Sequence, residues 1–204
     1  SRISSTAREK EADVSVADAE KWNGRYADSE EGDTSPLPFL AESIDRFTQG
    51  EALVLAAGRG RNAVYLAEHG HRVTALDISE VGLAQCSRLA ASRNTELTTL
   101  CTDLDNHYLG SAKYDLITKF YYYEPSLFAK VKRALKPGGH LIFQTFSQRH
   151  AEVGTFGPRN PAYLADLADI LPTFDGDTVL HSEEVVISDY EDTEAVCQLI
   201  VQVT

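Results

Sequence analysis

The sequence predicts an α/β fold: a doubly wound, mostly parallel seven-stranded sheet, with helices on both faces and an antiparallel hairpin at its C-terminal end. Three observations predict it. From residue 51 onward, short apolar runs alternate with amphipathic stretches, the pattern of parallel strands joined by helices. The first run passes directly into a glycine turn, "LVLAAGRGRN", as strands do when they feed a helix N-terminus. The last two runs are separated only by the polar "SDYEDTE". That link is too short for a crossover helix, so these two strands pair antiparallel.

Taken in order, residues 1–20 are polar and charge-mixed and read as a flexible N-terminal segment. One domain follows over residues 21–204, and its first part, residues 21–50, reads as a lid. Within the lid, residues 36–47 place Phe39, Leu40, Ile44 and Phe47 at helical spacing. Strands are expected over 52–56, 71–77, 96–101, 114–120 and 140–146, with helices over 62–69, 79–92 and 126–135. Residues 147–161, with Gly154, Gly157, Pro158 and Pro161, read as a loop arching over the site. A helix is expected from Pro161 through Leu171. Strands over 178–187 and 195–203 complete the sheet.

The 204 residues carry a net charge of −12, with 43% hydrophobic and 25% charged residues. An acidic surface of this kind repels phosphate backbones, which argues against a nucleic-acid partner. No apolar run approaches the roughly 20 residues that span a bilayer, so no membrane partner is expected. The first residues lack an apolar signal core, and a cytoplasmic location is expected. Cys86, Cys101 and Cys197 are odd in number and scattered, fitting neither a disulfide framework nor a zinc cluster, and read as buried structural thiols. His69, His71, His107, His140 and His181 show no metal-ligand spacing, and no metal is expected. The chain is expected to act as a monomer or homodimer.

The glycine turn carries the functional signal. Gly58 and Gly60 let a ligand approach the backbone at the carboxyl end of the first strand. Asp77 ends the second strand, where a carboxylate accepts ribose hydroxyls. Asp103 follows the third strand, in reach of an adenine amino group. "GRGRNA" also fits the looser dinucleotide pattern with Ala63 last, which leaves an NAD-binding protein as one reading. A strand–helix turn without any ligand is the bland reading.

The turn "LAAGRGRN", the acid in "ALDIS", the acid in "CTDL", "YDLITKF" and "LKPGGHLIFQTF" occur in order. In these motifs the chain resembles the class I S-adenosylmethionine-dependent methyltransferases, over nearly its whole length from Trp22. "WNGRY" and "GTFGPRNPAYL" are most similar to the group related to tellurite-resistance and thiopurine methyltransferases. The resemblance implies a Rossmann-like fold and methyl transfer to a small-molecule acceptor, with S-adenosylhomocysteine as product. It implies that Ala56, Gly58, Gly60 and Asn62 shape the cofactor turn and that Asp77 holds the ribose. Ile78, Asp103 and Leu104 then border the adenine, Lys119 and Phe120 lie beside the sulfonium, and Trp22 and Tyr26 fold over the cofactor. Two positions depart from the family pattern. Val54 stands where the first-strand motif carries an acid, and Ala56 replaces its first glycine, with its methyl accommodated at negative φ.

Candidates for the chemistry follow the fourth and fifth strands. Tyr121, Tyr122 and Tyr123 stand at the carboxyl end of the sheet, where aromatic rings wall a substrate or face a sulfonium. Tyr121 and His150 are the catalytic candidates, His150 as a general base because its ordinary pKa is near 6.5. Arg159 and Arg25 are candidate clamps for a substrate anion, beside Tyr122 and Tyr123. A non-catalytic module that holds S-adenosylmethionine or S-adenosylhomocysteine is the alternative to an enzyme.

Overall fold

The computed structural model describes residues 3–28, 32–189 and 191–204. Residues 1–2 of the N-terminal segment, residues 29–31 of the lid and Tyr190 of the last turn lie outside the described residues.

The seven strands are β1 (Glu51–Leu55), β2 (Arg72–Asp77), β3 (Thr98–Cys101), β4 (Tyr114–Phe120), β5 (Leu135–Phe146), β6 (Thr178–Asp189) and β7 (Asp192–Gln202). They form one sheet in the order β3-β2-β1-β4-β5-β7-β6. β1 to β5 run parallel, and β7 enters antiparallel between β5 and β6. Helix α3 (Arg61–Glu68) connects β1 to β2, α4 (Glu80–Ser92) connects β2 to β3, and α5 (Leu127–Ala134) connects β4 to β5. The expected sheet with its terminal hairpin is therefore the observed one.

Strand periodicity explains why both faces are covered. Leu53, Leu55, Ile117, Leu141, Phe143, Leu199 and Val201 point to one face, where Phe128 and Val131 of α5 and Phe174 meet them. The alternate residues Ala52, Val54, Leu116, Ile142 and Ile200 point to the other, against Leu40, Phe47, Leu66 and Leu83. Each central strand is thus apolar on both faces, the signature of a buried parallel sheet.

Several elements differ from the sequence reading. Residues 3–27 form one helix, α1 (Ile3–Ala27), which runs straight through the boundary placed after residue 20. The helix expected over 36–47 is α2 (Pro38–Ser43) continued by a 3₁₀ turn, Ile44–Arg46, with Phe39, Leu40 and Phe47 buried. No continuous helix follows Pro161. A 3₁₀ turn at Pro161–Tyr163, the short α7 (Leu167–Ile170) and a second 3₁₀ turn at Leu171–Phe174 take its place. The interruption has a clear cause: Ala165 is drawn into a bridge with Ser147, its N–H donating to Phe146 O at 2.8 Å. Asn160 and Asp166 cap the short turns with side-chain oxygens. Cys86 and Cys197 are buried as expected, but Cys101 is exposed because β3 is an edge strand.

Candidate active site

A cleft of about 840 Å³ opens at the carboxyl ends of β1, β2 and β4. The size suits a nucleoside-type ligand. Its floor is the turn after β1. Ala56 leaves the strand at φ +52, Gly58 has φ +51 and Gly60 has φ +84. The negative φ expected at Ala56 is therefore corrected: the chain turns sharply out of β1 and places an alanine in the left-handed region. That conformation costs a non-glycine residue on the order of 1 kcal/mol.

The two glycines answer to different constraints. A Cβ on Gly58 would lie 2.5 Å from the Tyr26 hydroxyl, so Gly58 leaves room at the cleft. A Cβ on Gly60 would collide with Cys86 of α4, so Gly60 allows α3 and α4 to pack.

Asp77 is 6% exposed and ties the rim together. Its Oδ2 accepts from Gly58 N at 2.7 Å and its Oδ1 from Ser79 N at 2.8 Å. Burial pushes its pKa above the usual carboxylate value, against the pull of those N–H donors. Each oxygen retains acceptor capacity for a ligand hydroxyl. Asp103 folds onto its own turn, accepting from Asp105 N and Asn106 Nδ2, both at 2.9 Å. Asn62 accepts from Leu37 N at 2.8 Å, fixing the chain that leads into α2.

Fourteen of the residues singled out from sequence line this one cleft: Trp22, Arg25, Tyr26, Ala56, Gly58, Gly60, Asn62, Asp77, Ile78, Asp103, Leu104, Phe120, Tyr121 and Tyr122. α1 forms its cover, to which Ser15 and Asp18 contribute from before the expected start of the lid. Trp22 and Tyr26 stack with centroids 5.9 Å apart. Asn23 Oδ1 accepts from Ser79 Oγ at 2.6 Å, and Gln85 Nε2 donates to Tyr26 O at 2.9 Å. These contacts hold α1 against α4.

Four candidates fall outside the lining. His150 has no exposed surface and is neither a loop histidine nor a base facing the cleft. It begins the short α6 (His150–Val153), accepts from Ala195 N through Nδ1 at 3.2 Å, and therefore donates through Nε2 to Phe156 O at 2.6 Å. Arg159 braces the same loop, donating to Ala151 O at 2.7 Å and to Gly154 O. The loop 147–161 docks beside β7 through Thr155 N and Thr193 O at 2.9 Å, and none of its residues lines the cleft. Tyr123 packs toward Phe128. Lys119 lies beneath the rim with its Nζ 4.2 Å from the Phe128 ring centre, donating to Glu124 O at 3.2 Å. Burial lowers its pKa to about 7.

The sequence reading missed a polar cluster behind Tyr121. The Tyr121 hydroxyl donates to Glu194 Oε1 and Oε2 at 2.9 and 3.0 Å and accepts from Gln144 Nε2 at 3.0 Å. Glu194 lies in the polar link "SDYEDTE", and the antiparallel entry of β7 brings it to the Tyr121 hydroxyl. No group of metal-binding side chains occurs among the described residues, and no described helix is long and apolar enough to cross a membrane.

The seven-stranded sheet in this order is the fold of solved S-adenosylmethionine-dependent methyltransferases, the class I methyltransferase fold. Within it, residues 52–139 match the family model of a methyltransferase domain, Methyltransf_25. Among solved structures, TehB from Haemophilus influenzae superposes with a TM-score of 0.69 at 15% identity, over 81% of this chain and 61% of its own. Magnesium protoporphyrin IX methyltransferase from Synechocystis PCC 6803, solved with bound S-adenosylhomocysteine, gives 0.61 at 19% identity, over 81% and 80%. The cyclase SpnF gives 0.62 at 17%, over 80% and 78%. No curated protein is a significant match by sequence.

Proposed function

We propose that the protein transfers a methyl group from S-adenosylmethionine to a small-molecule acceptor. The observation that carries this reading is the convergence of Gly58, Asp77 and Asp103 on one cleft beneath an aromatic cover. The residues present suit the cofactor. The turn after β1 offers backbone at close range, as a methionine moiety needs, and no phosphate-binding third glycine. In this reading Asp77 accepts the ribose hydroxyls while holding Gly58 and Ser79 in place. Asp103, Ile78 and Leu104 border the adenine, and Trp22 and Tyr26 exclude water from above. When bound, the cofactor supplies a methyl group on a positively charged sulfur. The protein's task is then alignment and the exclusion of water.

The presence of a cyclase among the neighbours supports a second reading, since one fold hosts more than one reaction. In it the chain binds the cofactor without methyl transfer. The strained Ala56 and the apolar Val54 at the cleft floor favour this alternative. Release of S-adenosylhomocysteine from S-adenosylmethionine over a panel of phenol, amine and thiol acceptors separates the two. Turnover is the expected result. Tight binding with no turnover on any acceptor establishes the second reading.

A further inference from the structure

We propose that Glu194 is the proton sink for the methyl acceptor, reached through the Tyr121 hydroxyl, and that the acceptor is therefore a hydroxyl or amine compound. The inference rests on the methyl-transfer reading above and adds the chemical class of the acceptor.

The geometry starts with Tyr121, which lines the cleft immediately after β4. It sits at φ +50, a strained conformation for a bulky residue. Strain of this kind persists only where surrounding contacts over-determine it, and it clusters at functional sites. Here the contacts are explicit. The ring packs on Phe146 at 5.0 Å, and the hydroxyl is forked onto both Glu194 oxygens. Gln144 Nε2 donates to the same hydroxyl, while Gln144 Oε1 accepts from Gln198 Nε2 at 2.8 Å. Gln144 and Gln198 face each other across the β5–β7 ladder, so the amide cannot turn over without losing a bond. The phenolic hydrogen is thereby directed at Glu194. The charged and titratable groups acting on Glu194 are Tyr121, His150 of α6 and Arg61 of α3. Arg61 itself lines the cleft, as Tyr121 does, and Glu194 stands behind the Tyr121 hydroxyl.

The chemistry balances as follows. As the acceptor oxygen or nitrogen bonds the methyl carbon, the carbon–sulfur bond breaks and its electron pair stays on sulfur. The acceptor proton passes to the Tyr121 oxygen while the phenolic proton passes to Glu194, which ends as a neutral carboxyl. Burial and the adjacent carboxylate push the Tyr121 phenol far above its ordinary value, so it relays in concert and does not ionise by itself. Burial also raises Glu194 above the usual carboxylate value, which makes it the better base. A thiol needs no such sink, because it ionises readily near neutral pH.

Two measurements test the proposal. The first is independent of turnover: a carbon-13 NMR pH titration of the glutamate carboxyls in the free protein. Glu194 is expected to titrate above the ordinary range, and to move higher still in Tyr121→Phe, which removes its hydroxyl donor. An ordinary value unaffected by Tyr121→Phe overturns the proposal. The second is turnover with a phenol, a primary amine and a thiol across pH. Glu194→Gln and Tyr121→Phe are each expected to lower phenol and amine turnover by about 10²–10³-fold, to flatten the low-pH limb, and to leave S-adenosylmethionine affinity unchanged. Glu194→Asp is expected to recover part of the rate, and it carries the comparison should Glu194→Gln fold poorly. An equal loss on all three acceptors with an unchanged pH limb, or a wild type that methylates only the thiol, overturns the proposal. A wild type that does not bind S-adenosylmethionine overturns the underlying reading instead.

Discussion

Lys119, next to last in β4, has no exposed surface and lies among the rings of Phe128, Phe143, Tyr122 and Tyr123. Desolvation lowers its pKa to about 7, well below the unfolded value of about 10.4. Between those values the unfolded chain holds one more proton than the folded one, so this group's contribution makes stability rise with pH. The contribution is lost as pH falls through about 7. Urea unfolding across this window is expected to show wild-type stability climbing by about 1.4 kcal/mol per pH unit relative to Lys119→Met. Parallel slopes for the two proteins contradict the assignment of a neutral amine. Ala56 makes a second residue-scale prediction. Its φ of +52 suits glycine, so Ala56→Gly is expected to stabilise the protein by about 0.5–1 kcal/mol in chemical denaturation. A loss of stability contradicts the strain.

At the scale of elements, α1 determines access to the cleft. Among the described residues it is fixed to the domain mainly at α4, by the Asn23–Ser79 bond and the Gln85–Tyr26 bond. Val81 N also donates to Asn23 Oδ1 at 3.3 Å and Arg59 Nη2 to Tyr26 O at 3.5 Å, and a cover tied at its last turns in this way is the kind of element drawn from the low-stability end of a molecule. Asn23→Ala removes one anchor worth about 1 kcal/mol and is expected to speed both entry and release of S-adenosylmethionine several-fold. Trp22, the single tryptophan, lies in this cover and reports both rates by stopped-flow fluorescence. Unchanged rates mean that α1 does not gate the cleft. β7 is the other decisive element. Its antiparallel course sets Glu194 near Tyr121, 73 residues earlier in the chain.

For the whole molecule, the sheet was legible because its physics is local. Leu53, Leu55 and Ile117 alternate with Ala52, Val54 and Leu116, and a strand apolar on both faces reads as such without knowledge of its neighbours. The cleft floor was legible for the same reason, since Gly58, Gly60 and Asp77 lie within one strand–helix–strand unit. What depends on distant contacts was not legible. The imidazole of His150 is fixed by Ala195 and Phe156, and Arg159 by Ala151 and Gly154, so both read as free loop groups in sequence. The broken segment after Pro161 depends on the bridge between Ser147 and Ala165. Ser15 and Asp18 join the cover because α1 is one continuous helix.

The central claim is that the rim held by Asp77 grips an adenosyl sulfonium. The most direct measurement is calorimetric titration of wild type and Asp77→Ala with S-adenosylmethionine, with NAD as the control ligand. Saturable heat is expected for S-adenosylmethionine and none for NAD. Affinity is expected to fall about tenfold or more in the variant, since a charged hydrogen bond contributes about 1.5–3 kcal/mol. No heat with S-adenosylmethionine, or equal affinity in the two proteins, contradicts it.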